Sequence, residues 1–408
     1  GAYAYKTTDY GKTWTKINKG VKSDDFIKVI REDTKNKNIL YAGSERGFYL
    51  STDAGSSWQP FQLNLPIVPV TDLMIRDNDL VAATAGRAFW ILDDLGAIQQ
   101  ASTASAVTLF SPKPAYKFGG GTGLPEEKYT AGQNAPEGVI LDYILPEVTD
   151  STLVTLTITD ASGKLIRTYS NKKDAAYVKY PGGPAAATLL SAKKGHNRFL
   201  WNLRNENILP DVKNVFVYGS YDGYAVPPGK YKAQLNFNGT ISETEMMVLA
   251  NPAISATAAD WNEQQQILAS ITASISEMHQ QVNELRKIRK QLIHHSDILK
   301  GVKPAEKVLD EAKKLIEGID AWESNIVEGR IQNGQDVINW PSKLNVEFFN
   351  IKRLADAADP RITQGIKTRL ADLQSQWNAE KGKVEAIKKS VAAYNTLYKS
   401  QQLEALIF

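Results

Sequence analysis

The sequence has no cysteine among its 408 residues, so it forms no disulfide, no thiolate metal site and no cysteine nucleophile. Histidine is also scarce, with four residues: His196, His279, His294 and His295. Zinc-binding helices place histidines at i and i+4. None of the four has such a partner, so His294 and His295 read as solvated helix surface and His196 as an exposed strand start. No apolar run approaches the roughly 20 residues of a membrane-spanning helix. The net charge of +3 is small, and no basic run is interleaved with aromatics, which argues against a nucleic acid or an anionic membrane as partner. No Gly-x-Ser-x-Gly elbow occurs. The glycine run Gly119-Gly120-Gly121-Thr122-Gly123 lacks the Gly-Lys-Ser/Thr ending of a phosphate loop, so it reads as connector. No cofactor or metal is expected.

What the chain does have is one short turn written twice. Thr7-Thr8-Asp9-Tyr10-Gly11-Lys12-Thr13-Trp14 recurs as Ser51-Thr52-Asp53-Ala54-Gly55-Ser56-Ser57-Trp58, 44 residues later. A fixed period of that size marks a stacked or radial repeat. In the shared pattern, [S/T]-x-D-x-G-x-[S/T]-W, the Asp can accept from backbone N–H groups of its own turn. Gly supplies a positive φ, and Trp lays a large apolar face under the turn. The pattern is similar to the Asp-box, or bacterial neuraminidase repeat, of sialidase-like and sortilin-type β-propellers. Thr7, Asp9, Gly11, Thr13 and Trp14, with Ser51, Asp53, Gly55, Ser57 and Trp58, are therefore expected to be structural, both carboxylates being consumed by their turns. The phrase Ala83-Thr84-Ala85-Gly86-Arg87-Ala88-Phe89-Trp90-Ile91-Leu92-Asp93-Asp94 resembles the last blade of large bacterial propeller proteins related to sortilin and often labelled glycosyl hydrolases. Those proteins usually carry His where this chain has Ala85, so the resemblance does not carry over an activity that rests on that His.

The expected fold class is multidomain β plus α: partial β-propeller blades, an immunoglobulin-like β-sandwich and a long antiparallel helical bundle. Residues 1–100 read as short strands with turn punctuation, enough for two blades of a propeller that needs roughly four to eight. The remaining blades are expected upstream in a longer parent polypeptide or on another chain, since the sequence begins inside a blade at Gly1. Residues 101–136 read as a linker and 137–250 as alternating strands. Within the latter, Asp160-Ala161-Ser162-Gly163, then Gly195-His196-Asn197-Arg198-Phe199-Leu200-Trp201-Asn202-Leu203-Arg204, then Pro228-Gly229-Lys230-Tyr231 resemble an immunoglobulin-like module of flagellar hook-capping type. That resemblance implies a spacer or binding arm. In residues 251–408 the period shifts to 3.5. Leu268, Ile271, Ile275, Met278, Val282, Leu285 and Leu292 mark one long helix, capped by Thr257 with Asp260, and Ile366 to Tyr394 another, starting near Pro360. Each is expected to run about 42 residues, or about 60 Å.

Glycoside hydrolysis needs two carboxylates facing one cleft. Asp93 and Asp94 are adjacent, and neighbours on a strand point to opposite faces, so a strand-end turn is the better reading. Among the tryptophans, Trp90 and Trp201 are expected to be packed on strands and Trp261, Trp322 and Trp377 on helix seams. Trp340, in a loop before Pro341, is the candidate ligand or domain contact. The sequence therefore points to a non-catalytic, exported scaffold that binds a glycan or peptide. The alternative is the accessory part of a glycoside hydrolase whose catalytic carboxylates lie on upstream blades.

Overall fold

The computed structural model describes residues 3–101, 104–119 and 136–403. Alternating apolar residues and tight turns give three small antiparallel sheets at the start. Strands β1 (Tyr5–Lys6) and β2 (Thr15–Lys16) form a hairpin around the first Asp-box. β3 (Ile27–Glu32), β4 (Leu40–Ser44), β5 (Gly47–Ser51) and β6 (Gln59–Pro60) form a four-stranded meander in chain order. β7 (Val70–Arg76), β8 (Asp79–Thr84) and β9 (Phe89–Leu92) form a three-stranded one. Every residue of β4 and β5 is buried, because both faces of that sheet are covered. Tyr41, Phe48 and Leu50 share a core with Leu73, Leu80 and Ala82 of the next sheet. On the other face Leu40, Ala42 and Tyr49 pack with Trp58, Ile17 and Val21.

After α1 (Gly96–Ala101) come β10 (Thr108–Leu109), β11 (Ala115–Lys117), β12 (Val139–Leu145), β13 (Val154–Asp160), β14 (Leu165–Ser170), β15 (Gly195–Trp201), β16 (Gly229–Phe237) and β17 (Thr240–Ala250). They form a three-stranded sheet, β10-β12-β15, and a five-stranded sheet, β11-β17-β16-β13-β14, in which β11 runs parallel to β17. The sheets enclose one core: Leu141, Tyr143 and Trp201 from the first meet Leu156, Ile158 and Leu235 from the second. Two of these strands fall within 101–136, so part of that stretch is sheet edge instead of connector. They are too short to show a period of two, and their partners are far away in sequence. The glycine run from Gly120 onward lies outside the described residues.

The helices are α2 (Ala258–Leu299), α3 (Glu306–Ile326), α4 (Leu344–Ala355) and α5 (Gln364–Ser400). Thr257 and Asp260 form a reciprocal capping box on α2. At 37 residues α5 is shorter than expected, because its N-cap is Thr363, three residues past Pro360. The bundle runs up, down, up. Arg286 reaches Glu323 at 2.6 Å and Arg289 reaches Asp320 at 3.0 Å, so α3 opposes α2. Lys367–Glu263, Gln374–Ser270, Lys381–Glu277 and Lys388–Glu284 recur every seven residues in the same direction, so α5 runs parallel to α2. Between β15 and β16, Leu209, Val212, Val215, Val217 and Tyr221 strap onto the bundle core, tying the sandwich to the helices. No helix is long and apolar enough to cross a membrane, among the described residues.

Candidate functional site

Each Asp-box closes on itself. The Asp9 carboxylate accepts from the Thr13 backbone N–H at 2.8 Å, from the Thr13 hydroxyl at 2.7 Å and from the Thr7 hydroxyl at 2.9 Å. Asp53 accepts from the Ser57 N–H at 2.8 Å, the Ser57 hydroxyl at 2.6 Å and the Ser51 hydroxyl at 2.8 Å. The N–H of Thr13 above all, and the hydroxyl of Ser57 above all, hold the respective carboxyls below the ordinary aspartate value. Gly11 and Gly55 take φ of 91° and 89°, and the residue before each, Tyr10 or Ala54, is left-handed too at 59° and 56°. The sequence pattern marks only the glycine of that pair. The two tryptophans part company: Trp58 is 4% exposed and its indole N–H donates to the Ile17 carbonyl at 2.7 Å, while Trp14 is 60% exposed.

Of the adjacent pair Asp93 and Asp94, the second is taken up by a turn. Asp94 ends its strand at φ 53° and accepts from Asn78 at 3.1 Å and from the Gly96 N–H at 3.0 Å, a strand-to-helix turn. The Asp93 carboxyl is pushed above the usual range by partial desolvation and by Asp79, against the pull of Lys113 and Arg198. A 60 Å³ apolar cavity between the second and third sheets, lined by Phe48, Phe61, Leu80 and Trp90, is too small and too poor in polar groups for a sugar.

The other sequence candidates are engaged locally. Trp340 is half-buried, with the Arg330 guanidinium 3.8 Å from its ring centre. Trp261 is half-buried against the Lys117 ammonium, 4.7 Å away, and so sits at the sandwich edge instead of in the helix seam. His196 lies 2.8 Å from Asp142, which Arg198 also holds at 2.8 Å. His279 is buried, its Nδ1 within 2.7 Å of the Pro210 carbonyl, and desolvation lowers its pKa. Among the described residues no group of three or more His, Asp or Glu is placed to hold a metal ion.

The feature that sequence reading did not isolate is a bare sheet face. Leu73, Leu80, Ala82, Trp90 and Leu92 turn one face of the β7–β9 sheet into the shared core. On the opposite face Met74, Val81 and Ile91 form a row across the three strands, beside Ala83 and Phe89. Met74, Ile91 and Phe89 are 59%, 59% and 76% exposed. Strict alternation predicts polar residues there. At the far side of the array Tyr3, Tyr5 and Trp14 are exposed as well. The apolar outer positions were legible in Phe89-Trp90-Ile91-Leu92, which is hydrophobic on both faces.

Residues 2–88 match the family model Sortilin-Vps10, described as sortilin, neurotensin receptor 3. No curated protein matches the chain. With its paired Asp-box turns and stacked antiparallel sheets, the stretch 2–88 is a sortilin-like, propeller-type region.

Proposed function

We propose that this chain is the C-terminal part of an exported Asp-box propeller protein and acts as a non-catalytic scaffold or glycan- or peptide-binding unit. Residues 1–100 supply terminal blades, 137–250 an immunoglobulin-like spacer and 251–408 a bracing bundle. One observation carries the reading: the blade array leaves apolar surface bare on both sides, at Met74, Ile91 and Phe89 and at Tyr3, Tyr5 and Trp14. Exposed contiguous apolar surface on a soluble protein marks a contact surface. Its natural occupant is a further blade, because the covered face of the same sheet is already packed against one. The glycan or peptide would then bind across the completed ring. The rival reading, the accessory part of a glycoside hydrolase, places the catalytic carboxylates on upstream blades; within this chain Asp94 is committed to a turn.

The test is binding of an apolar fluorescent dye, with sedimentation of the same samples. The chain should bind dye or self-associate, and Phe89→Lys with Ile91→Lys should weaken both while leaving the melting temperature within a few degrees. A monomer that ignores the dye would remove the basis for the proposal. Turnover of an aryl glycoside by this chain, lost in Asp93→Asn, would overturn the non-catalytic reading.

A further inference from the structure

The blade array has an open edge as well as a bare face. Two other outer strands are blunted. β6 is two residues long and ends in Pro60, which has no N–H to offer. β14 is covered: its Ile166 and Ser170 carbonyls accept from the Glu206 and Leu190 N–H groups at 2.9 Å and 3.0 Å. β9 carries neither device. Among the described residues it pairs with β8 alone, and Phe89-Trp90-Ile91-Leu92 holds no proline and no charge. Such an edge is a template for another strand.

The ladder fixes which groups face outward. The Thr84 N–H donates to the Ala88 carbonyl at 3.1 Å, and in the same register Ala82 faces Trp90 and Leu80 faces Leu92. Hydrogen-bonded pairs alternate in an antiparallel ladder. Trp90 and Leu92 therefore spend their backbone groups on β8, while Phe89 and Ile91 turn theirs away from it. Among the described residues neither the N–H nor the carbonyl of Phe89 or Ile91 has a hydrogen-bond partner. Their side chains stand on the bare face, 76% and 59% exposed.

This edge is self-complementary. Laid antiparallel against its own copy about Trp90, β9 sets Phe89 opposite Ile91 of the second copy, and Ile91 opposite Phe89. All of these residues point their N–H and C=O outward, so each pairing exchanges both hydrogen bonds. Each also joins an aromatic to a β-branched side chain on one face, a favourable cross-strand pair. The same two-fold brings Arg87, just before the strand, beside Asp93 of the other copy, just after it; both are exposed and of opposite charge.

We propose that a second copy of this chain docks on the β9 edge, antiparallel about Trp90, joining two three-stranded sheets into one. The apolar face of one sheet then continues into that of the other. The proposal uses the edge of the sheet and not its face, so it stands apart from the blade reading. Paired four-residue strands make a small interface, of the weak and concentration-dependent class.

The experiment is sedimentation of the full chain at about 0.1 mM, where a weak interface fills, with disulfide trapping made simple by the absence of cysteine. The parent should sediment as a monomer–dimer equilibrium. Ile91→Pro removes the outward N–H and keeps an apolar side chain, so it should weaken the dimer by about tenfold or more and leave dye binding by the face. Met74→Lys, on the face and away from the edge, should do the reverse. Phe89→Cys mixed with Ile91→Cys should cross-link under a mild oxidant about tenfold faster than either alone, because hydrogen-bonded pairs hold their Cα atoms about 5.5 Å apart, within disulfide reach. The proposal fails if the parent is a monomer at that concentration, if Ile91→Pro folds and dimerises as the parent does, or if the single cysteine variants cross-link as fast as the mixture. A monomer that still binds dye would end this inference and leave the blade reading standing.

Discussion

The two Asp-box turns form a controlled comparison within one chain. Each makes the same five hydrogen bonds among its Ser/Thr, Asp and Gly positions, with the same pair of left-handed residues. Their tryptophans nevertheless live in different solvents. Trp58 lies against Ile17 and Val21 of the preceding hairpin and Leu40, Ala42 and Tyr49 of its own sheet. Its backbone N–H also donates to the Lys19 carbonyl at 2.8 Å. Trp14 follows a hairpin of two-residue strands and is 60% exposed. The turn is therefore a local object, closed by short-range hydrogen bonds, whereas its anchoring is a property of the sheet packed beneath it.

The sharpest way to break this comparison is to truncate both tryptophans. Trp58→Ala should cost about 3–5 kcal/mol, the usual loss for a buried aromatic. Trp14→Ala should stay within about 0.5 kcal/mol, as for an exposed side chain. Urea unfolding of the two variants measures both, and equal losses would mean that the first turn is anchored as firmly as the second. The glycines give the next largest contrast. Gly11→Ala should carry only left-handed backbone strain of about 1–2 kcal/mol, because a Cβ there meets nothing nearer than Trp14 at 3.9 Å. Gly55→Ala should cost about 1–3 kcal/mol more, because its Cβ would sit 2.9 Å from Ile17 and 3.2 Å from Leu40.

The smallest effect is the acid response. Both Asp9 and Asp53 titrate below their unfolded value, so their stabilisation is fully present above about pH 4 and is lost as pH falls through the lower folded values. NMR of the Gly11 and Gly55 amides, which donate to Thr7 and Ser51, should show both turns loosening in that window. Only the second should alter the surrounding sheet, through Trp58. A first turn whose opening disturbed β4 and β5 would contradict the separation of turn from anchor.

Much of the fold was legible because its signals are local. The Glu45-Arg46 turn between β4 and β5, the strands of 139–170 and the Thr257–Asp260 capping box each follow from residues within a few positions of one another. The helix seams were readable for the same reason: Leu268 to Leu292 fall on one buried stripe. What was missed involves partners distant in sequence. β11 pairs with β17 more than a hundred residues later, and Trp261 leaves its seam for Lys117. The parallel run of α2 and α5 follows from the intervening α3 and α4, which heptads alone do not order.

For the candidate sites the division is similar. That Asp9 and Asp53 are spent on their own turns was written in the eight-residue pattern, because four-residue spacing brings each carboxylate to its Thr13 or Ser57 partner. The bare face of β7–β9 and its open edge were settled only by tertiary packing. Exposure depends on which other surface arrives to exclude water, and a strand is an edge only once the assembled sheet has left it without a second neighbour. Sequence fixes the short-range hydrogen bonds and the apolar stripes; the choice of what each stripe meets belongs to the assembled molecule.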